Sequence, residues 1–208
     1  MSFAVIDSLR SRLAERPPNP PVLERFAPSH THRQRFEAAP SDARLASVMV
    51  LLYRERDEWK FPLALRPNHL KHHQGQVALP GGARDAGEHL KETALRELHE
   101  EFGVAATDVD VLGALSPFFV PASRFIVHPW VGWTRRRPIF QPNANEVQEL
   151  IEVRLAPILD LSAFSTEQRE LAGQQVEVPY FAVGTHKVWG ATCIVLGELA
   201  TVCAGLKL

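Results

Sequence analysis

The sequence predicts a mixed α/β (α+β) fold in which helices cover a mixed β-sheet. Two observations predict it: short apolar segments of strand type interleave with helical segments, and the chain has no internal repeat or low-complexity tract. At 208 residues the chain is slightly longer than a typical single domain. Its 45% apolar and 23% charged residues exclude a wholly disordered or collagen-like chain.

The N-terminal region differs in composition from the rest. Residues 3–15 carry apolar side chains at roughly helical spacing, which predicts a short amphipathic helix. Prolines 17, 18, 20 and 21 end it, and the polar stretch up to residue 42 is typical of a linker or extended arm. We therefore divide the chain into an N-terminal helix with a Pro-rich arm, residues 1–44, and a main domain, residues 45–208. The sequence leaves open whether residues 1–44 pack on the domain, exchange with a partner or stay mobile.

The main domain reads as alternating strands and helices. The predicted strands cover residues 45–53, 61–66, 76–79 and, interrupted at Pro117, Pro121 and Pro129, 109–133. The predicted helices cover residues 88–102, 155–164 and 191–206. Residues 176–188 are predicted to form a strand or a loop. Pro80-Gly81-Gly82 predicts a sharp stop, and Gly103 a helix end. Gly197 is unfavourable inside the last helix.

Charge and composition restrict the partners. The 23 basic and 24 acidic residues give a net charge of −1, so we expect no nucleic-acid or anionic-membrane binding through bulk charge. The most apolar run, residues 48–53, is far shorter than the ~20 residues that span a bilayer. The N-terminus lacks a secretory pattern. Cys193 and Cys203 would lie ~15 Å apart on one helix, too far for a disulfide, so free thiols in a reducing cytoplasm are expected.

One segment concentrates acidic side chains. Residues 82–104 contain the five glutamates Glu88, Glu92, Glu97, Glu100 and Glu101. On a helix, Glu97, Glu100 and Glu101 fall within a sector of about 100°. Like charges at i,i+4 repel, and a divalent cation would turn that repulsion into attraction. The alternative is a solvated acidic helix face.

The spacing of this segment resembles the Nudix box at every position. The matching residues are Gly82, Glu88, Arg96-Glu97-Leu98, Glu100-Glu101 and Gly103-Val104, against the pattern Gly-x5-Glu-x7-Arg-Glu-U-x-Glu-Glu-x-Gly-U with U a bulky aliphatic residue. The resemblance implies a Nudix hydrolase, which cleaves a nucleoside diphosphate linked to another moiety. It also implies an α/β/α sandwich with a mixed β-sheet and a loop–helix–loop catalytic motif.

The resemblance implies a role for each residue of the box. Glu97 and Glu101 match the principal ligands of a Mg²⁺ or Mn²⁺ cofactor, and Glu100 matches an additional ligand or a water-activating carboxylate. Arg96 matches the arginine that orients the acidic cluster. The remaining matches are Gly82, Gly103 and Glu88, which correspond to two turns and a structural glutamate.

Residues 62–82 resemble a second signature, that of the coenzyme A pyrophosphatase branch: Leu-Leu-Thr-x-Arg-(Ser/Ala)-x3-Arg-x3-Gly-x3-Phe-Pro-Gly-Gly. The matches are Leu63, Arg66, Gly75, Pro80, Gly81 and Gly82. The departures are Pro62, Ala64, Pro67, Lys71 and Leu79. Lys71 keeps a positive charge but lacks the guanidinium fork that binds phosphate in a bidentate manner.

This second resemblance implies hydrolysis of coenzyme A and its derivatives to 3′,5′-ADP and 4′-phosphopantetheine or its acylated form. The expected substrate contacts are Arg66, Lys71, His72, His73, Gly81 and Gly82. Solvated loop residues are the alternative for the four basic side chains.

Glu146, outside the box, is a further candidate base or metal ligand; the alternative is an ordinary loop acid. Two other functions are left open. The departures favour a broader nucleoside-diphosphate pyrophosphatase acting on ADP-ribose or nucleotide sugars. A non-catalytic Nudix module that senses a nucleotide is less compatible with a complete box. Whether the protein forms a homodimer is also left open.

Overall fold

The computed structural model describes residues 2–15, 20–29, 39–69, 74–171 and 173–206. The strands are β1 (Arg44–Glu55), β2 (Glu58–Leu65), β3 (Val77–Ala78), β4 (Gly81–Ala83), β5 (Asp110–Ala114), β6 (Phe118–Val120), β7 (Phe125–Trp133), β8 (Glu149–Arg154), β9 (Phe164–Leu171), β10 (Gln174–Val183) and β11 (His186–Trp189). The helices are α1 (Ser2–Glu15), α2 (Pro20–Glu24), α3 (Leu90–Phe102), α4 (Ala156–Leu159) and α5 (Ala191–Cys203), with a 3-10 turn at Ala106–Asp108. The predicted mixed α/β class is confirmed.

Strand β1 is the centre of the larger sheet. It pairs in parallel with β7 and antiparallel with β2 and β4. Strands β3 and β8 extend the sheet from β2, and β5 and β6 extend it from β7. Strands β9, β10 and β11 form a separate antiparallel sheet. Parallel and antiparallel pairs in one sheet confirm the predicted mixed sheet.

Side chains of β1 alternate between two cores because successive residues of a strand point to opposite faces. Val50 and Leu52 lie in the main core, which also takes side chains from α1, α5 and the smaller sheet. Met49 and Leu51 lie in a second core beneath α3, which we call the helix-side core. Helices therefore cover both faces of the sheet, which is the α/β/α sandwich expected from the Nudix resemblance.

Most predicted elements are confirmed. Helix α2 is a correction, because it lies in the stretch predicted to be a linker or extended arm, and strands β8 and β9 were not predicted. Two further corrections concern prolines and glycines. Pro80-Gly81-Gly82 was predicted to be a sharp stop, and β3 does end before it, at Ala78. Gly81 and Gly82 nevertheless belong to a new strand, β4, because residues 81–83 pair with β1. Pro129 was predicted to interrupt a strand, but β7 continues through it. Proline lacks an N–H, yet this position faces the break between β5 and β6, where Leu115 donates to the Pro129 carbonyl (2.9 Å).

The described part of the N-terminal region packs on the main domain. Five of its apolar residues lie buried in the main core: Ile6, Leu9, Leu23, Phe26 and Ala27. The Arg12 guanidinium donates to the carbonyls of Val202 (2.8 Å) and Ala204 (2.7 Å), at the C-terminal end of α5 where a positive charge is favourable. The first helix thus contributes to the same core as the last one.

The predicted arm is only partly described. Residues 16–19 and 30–38 lie outside the described residues, and the division at residue 44 stays a prediction. None of the described helices is long and apolar enough to cross a membrane. Cys193 and Cys203 are buried and free.

Gly197 was unfavourable for the predicted helix, but packing explains why glycine occupies this position in α5. A Cβ at this position would lie 2.2 Å from the Phe26 ring. The glycine therefore lets the segment after α2 approach the backbone of α5.

We expect Gly197→Ala to destabilise the protein by roughly 1–3 kcal/mol, as overpacking does, although alanine is the better helix former by about 1 kcal/mol. Thermal unfolding measures the change. The control is the same substitution in a Phe26→Ala background, where the methyl group has room and should stabilise α5. A higher unfolding temperature for Gly197→Ala alone would contradict the packing argument.

Candidate active site

Helix α3 has defined ends. At its start, the His89 N–H donates to the Glu92 carboxylate (3.0 Å), which satisfies a backbone donor that the first turn leaves unpaired. At its end, Gly103 has a φ of 72°, and its N–H donates to the His99 carbonyl (2.8 Å). Between them lie no glycine or proline. These local features explain why the helix could be predicted from the sequence.

The packing of α3 orients its acidic side. Its apolar residues Ala94, Leu98 and Phe102 are fully buried in the helix-side core with Met49 and Leu51 of β1. This contact turns Glu97 and Glu101, one helical turn apart, toward β4 and partly under the protein surface. The core therefore fixes where the two carboxylates point.

A loop between β7 and β8 is attached to the C-terminal end of α3. The Gln141 N–H donates to the Phe102 carbonyl and the Asn143 N–H to the Glu101 carbonyl, both at 2.9 Å. These two carbonyls belong to the last turn, where no helical donor is available. Gly103 is required here for space as well, because a Cβ would lie 2.8 Å from the Gln141 Cβ.

The loop brings a third carboxylate to the two on α3. Glu97, Glu101 and Glu146 each offer an oxygen, and these oxygens all lie within 4.8 Å of one another. Glu101 is 1% exposed and Glu97 9% exposed, so water screens the repulsion between their charges only weakly. Glu101 Oε2 is buried and has no hydrogen-bond partner among the described residues.

Such a group suits a hard divalent cation. Mg²⁺ and Mn²⁺ prefer carboxylate oxygens, and a cation would both offset the crowded charge and satisfy the unpartnered Glu101 oxygen. The side chains present thus fit the metal that the sequence predicts. Glu100 lies beside this group: its side chain is 46% exposed and its Oε2 accepts from Arg96 (2.9 Å). Its predicted role as a further ligand or water-activating carboxylate stays a prediction.

Burial changes the protonation of the two helix carboxylates. Burial raises the pKa of Glu101 to about 8, with Glu97 and Glu146 adding to the rise and the Arg66 guanidinium opposing it. Burial also raises the pKa of Glu97, against the effect of Arg96. Cation binding therefore competes with protons at this site.

Arg96 connects the acids of the box. Its Nη1 donates to Glu97 Oε1 and to Glu100 Oε2, both at 2.9 Å, and its Nε donates to Glu88 Oε1 at 3.0 Å. Its Nη2 donates to the Ala83 carbonyl at the end of β4 (3.1 Å). Hydrogen bonds from Arg96 lower the pKa of Glu88 to about 2. This arrangement is compatible with the predicted orienting role, which stays a prediction.

Gly81 and Gly82 permit two close approaches. A Cβ on Gly82 would lie 2.3 Å from Glu97 Oε1, and one on Gly81 would lie 2.3 Å from the Ser47 carbonyl oxygen. Only glycine lets β4 run against β1 with the Glu97 carboxylate directly above it. The predicted contact of these glycines with substrate stays a prediction.

Arg66, at the end of β2, lies at the edge of the carboxylate group. Its Nη1 is 3.6 Å from Glu101 Oε1, and its buried Nε has no partner among the described residues. The backbone of Arg66 closes the following loop, since Gly75 donates to its carbonyl (3.1 Å). The other three basic candidates, Lys71, His72 and His73, lie outside the described residues.

Sequence reasoning assigned no role to two residues that organise the site. Ser47 Oγ lies 2.7 Å from the Leu90 carbonyl and 3.0 Å from the His128 carbonyl, so it ties the start of α3 to β1 and β7. Asn143 contacts Glu146. The sequence Pro-Asn-Ala-Asn, which is typical of a turn and precedes the candidate acid Glu146, could have pointed to Asn143.

Comparison with known proteins identifies related chains. Residues 43–175 match a family model described as NUDIX domain. The chain is 32% identical over 200 residues to "Uncharacterized Nudix hydrolase NudL" of Pectobacterium atrosepticum, a match that covers 96% of this chain and 94% of that protein. The protein of the same name from Yersinia enterocolitica is 37% identical over 146 residues, which is 70% of this chain and 74% of that one.

Solved structures share the fold. A MutT/nudix family protein from Enterococcus faecalis superposes with a TM-score of 0.53 at 20% identity, covering 81% of this chain and 65% of that one. The MutT protein from Methanosarcina mazei superposes with a TM-score of 0.50 at 21% identity, covering 76% and 92%. Both support the sandwich described above.

We expect Glu101→Gln to stabilise the metal-free protein. The pKa of this glutamate is near 4.5 in an unfolded chain and about 8 in the fold, so the ionised form is disfavoured by folding. The destabilisation starts as the pH rises above 4.5 and is complete above 8. Urea unfolding in EDTA should show a gain of at least about 1 kcal/mol at pH 8 and almost none at pH 4.

The control for this experiment is Glu170→Gln, which removes one charge from an exposed position on β9. It corrects for the change in net charge. A parent protein as stable as Glu101→Gln at pH 8 would show that the fold does not disfavour the charge.

Proposed function

The chain belongs to the Nudix family and is a Nudix hydrolase, and on that premise we propose that it hydrolyses coenzyme A and its derivatives. The phosphoanhydride bond is cut, giving 3′,5′-ADP and 4′-phosphopantetheine or its acylated form. The observation that carries this proposal is the position of Arg66, the arginine of the second signature. Its guanidinium lies 3.6 Å from the Glu101 carboxylate, where a diphosphate on a metal ion would also lie.

Mg²⁺ or Mn²⁺ is the proposed cofactor, held by Glu97, Glu101 and Glu146. When bound, the ion offsets phosphate charge and lowers the pKa of a bound water. Arg66 binds a phosphate oxygen through its planar guanidinium fork. Glu100, exposed beside Arg96, serves as a further ligand or accepts the proton from the attacking water. Arg96 holds Glu97 and Glu100 in place through hydrogen bonds.

The departures from the second signature fall mostly inside the protein. Ala64 is 1% exposed and packs in the helix-side core, and Leu79 is 4% exposed in the main core. Pro62 and Pro67 are also buried. The side chains at these four positions contribute to packing and offer little surface for direct contact with a ligand. They therefore weigh little against coenzyme A as the substrate.

A broader nucleoside-diphosphate pyrophosphatase is the second candidate. It is favoured by Lys71, where the signature has arginine, because an ammonium group cannot bind phosphate in a bidentate manner. Such an enzyme would act on ADP-ribose or nucleotide sugars, with the same metal site and the same reaction.

The free thiols of Cys193 and Cys203 support a reducing cytoplasm as the proposed location.

We expect the purified protein with Mn²⁺ to convert coenzyme A to 3′,5′-ADP and 4′-phosphopantetheine, because both the metal site and Arg66 are suited to its diphosphate. Chromatography of the products measures this, with EDTA as the negative control and ADP-ribose in a parallel reaction. Rapid cleavage of ADP-ribose without any 3′,5′-ADP from coenzyme A would exclude the substrate and leave the reaction class intact.

We expect Glu97→Gln and Glu101→Gln each to lower kcat at least about a hundredfold, because an amide is a weak ligand for a hard cation. Circular dichroism should show that both variants keep the fold. Glu170→Gln, an exposed acid on β9, is the matched control and should retain parental turnover. Unchanged turnover in either α3 variant would refute the ligand assignment.

A further inference from the structure

We propose that Asn143 is a positioning residue, whose side-chain amide aims the Glu146 carboxylate at Glu97 and Glu101. The inference rests on the proposed function, since it takes Glu146 as a metal ligand. Asn143 Nδ2 donates to Glu146 Oε1 at 3.1 Å. Because one oxygen of Glu146 is held by this bond, the other is left to a cation.

The backbone of Asn143 places it beside the site. Its N–H donates to the Glu101 carbonyl (2.9 Å), so the residue is attached to the helix that carries the other two carboxylates. Its own carbonyl accepts from the amides of Glu146 (2.9 Å) and Val147 (2.8 Å). The four residues 143–146 thus form a closed turn whose start is fixed to α3 and whose end carries the third acid.

The orientation of the side-chain amide is fixed by a second bond. Asn143 Oδ1 accepts from the backbone N–H of Asn145 at 3.1 Å, the pattern of an Asx turn. An asparagine oxygen can only accept and its nitrogen can only donate, so this bond turns the NH₂ group toward Glu146. A carboxylate needs a donor, and the amide supplies one without adding a charge near the cation.

Glu146 depends on this hydrogen bond more than the two helix carboxylates depend on theirs. Glu97 and Glu101 lie on a packed helix, and Arg96 also holds Glu97. Glu146 lies on a loop and is only partly buried. Repulsion from the two helix carboxylates would turn a free side chain toward solvent. The bond from Asn143 opposes this rotation before a cation is bound.

Substitution can separate the side chain's role from that of the backbone. Asn143→Ala keeps every backbone bond of the turn and removes the two side-chain bonds. Asn143→Ser keeps an oxygen that can accept from the Asn145 N–H, as serine does in related turns, but is too short to reach Glu146. Asn145→Ala is the matched control, because it removes an exposed asparagine side chain from the same loop.

The test is Mn²⁺ affinity of the metal-free full chain, measured by electron paramagnetic resonance of free Mn²⁺. We expect Asn143→Ala and Asn143→Ser each to weaken binding about 10- to 100-fold, the usual effect of losing a partner of a metal ligand. Asn145→Ala should bind as the parent does. Thermal unfolding confirms that the variants are folded at the assay temperature.

A double-mutant cycle shows whether Asn143 acts through Glu146. In a Glu146→Gln background, Asn143→Ala should change Mn²⁺ affinity less than about twofold, because the carboxylate that it orients is already absent. Effects that simply add would overturn the proposal. Parental affinity in Asn143→Ala would do the same, and parental affinity in Asn143→Ser would reduce the residue to a turn former.

The experiment also distinguishes failure of the proposed function. If the parent binds no Mn²⁺, the metal site is wrong, and the positioning role is wrong with it. If the parent binds Mn²⁺ and all Asn143 variants bind equally well, only the positioning role is overturned.

Discussion

Mutual repulsion among three carboxylates is the constraint on which the site depends. The oxygens of Glu97, Glu101 and Glu146 lie within 4.8 Å of one another in a largely buried setting. Ions of like charge at this separation repel strongly where water is excluded. A fold that served stability alone would separate them. Retaining them makes sense when a divalent cation completes the group. In the metal-free protein, burial raises the pKa of Glu101, and Glu97 and Glu146 add to the rise.

The rest of the structure can be understood as the support for that group. The helix-side core fixes the rotation of α3, and Arg96 joins Glu97 to Glu88 and to the end of β4. Because residue 82 is glycine, no side chain at this position displaces the Glu97 carboxylate. Backbone bonds to the last turn of α3 attach the loop that carries Glu146. The first three supports act on the carboxylates of α3, and the loop bonds place Glu146.

Local patterns account for the elements that were predicted correctly and for those that were not. Helix α3 was predictable because its caps, its apolar face and its acids all lie within about 20 residues of sequence. Whether Pro80-Gly81-Gly82 and Pro129 lie in strands depends on which strand runs alongside them. A sheet tolerates proline where the neighbouring strand does not accept a hydrogen bond from that position, and glycine where another chain segment approaches closely. The role of Gly197 depends on Phe26, which is 171 residues earlier in the chain.

The resemblance to the Nudix box pointed to Arg96 and to a divalent cation. The sequence by itself determined that Glu97, Glu100 and Glu101 share one face of a helix, because helical geometry converts spacing into position. Only the tertiary structure decided that Glu146, Arg66 and Asn143 join them. Glu146 and Asn143 come from a loop after β7 and Arg66 from the end of β2. Their meeting depends on the order of strands in the sheet, which non-local packing sets and no local pattern encodes.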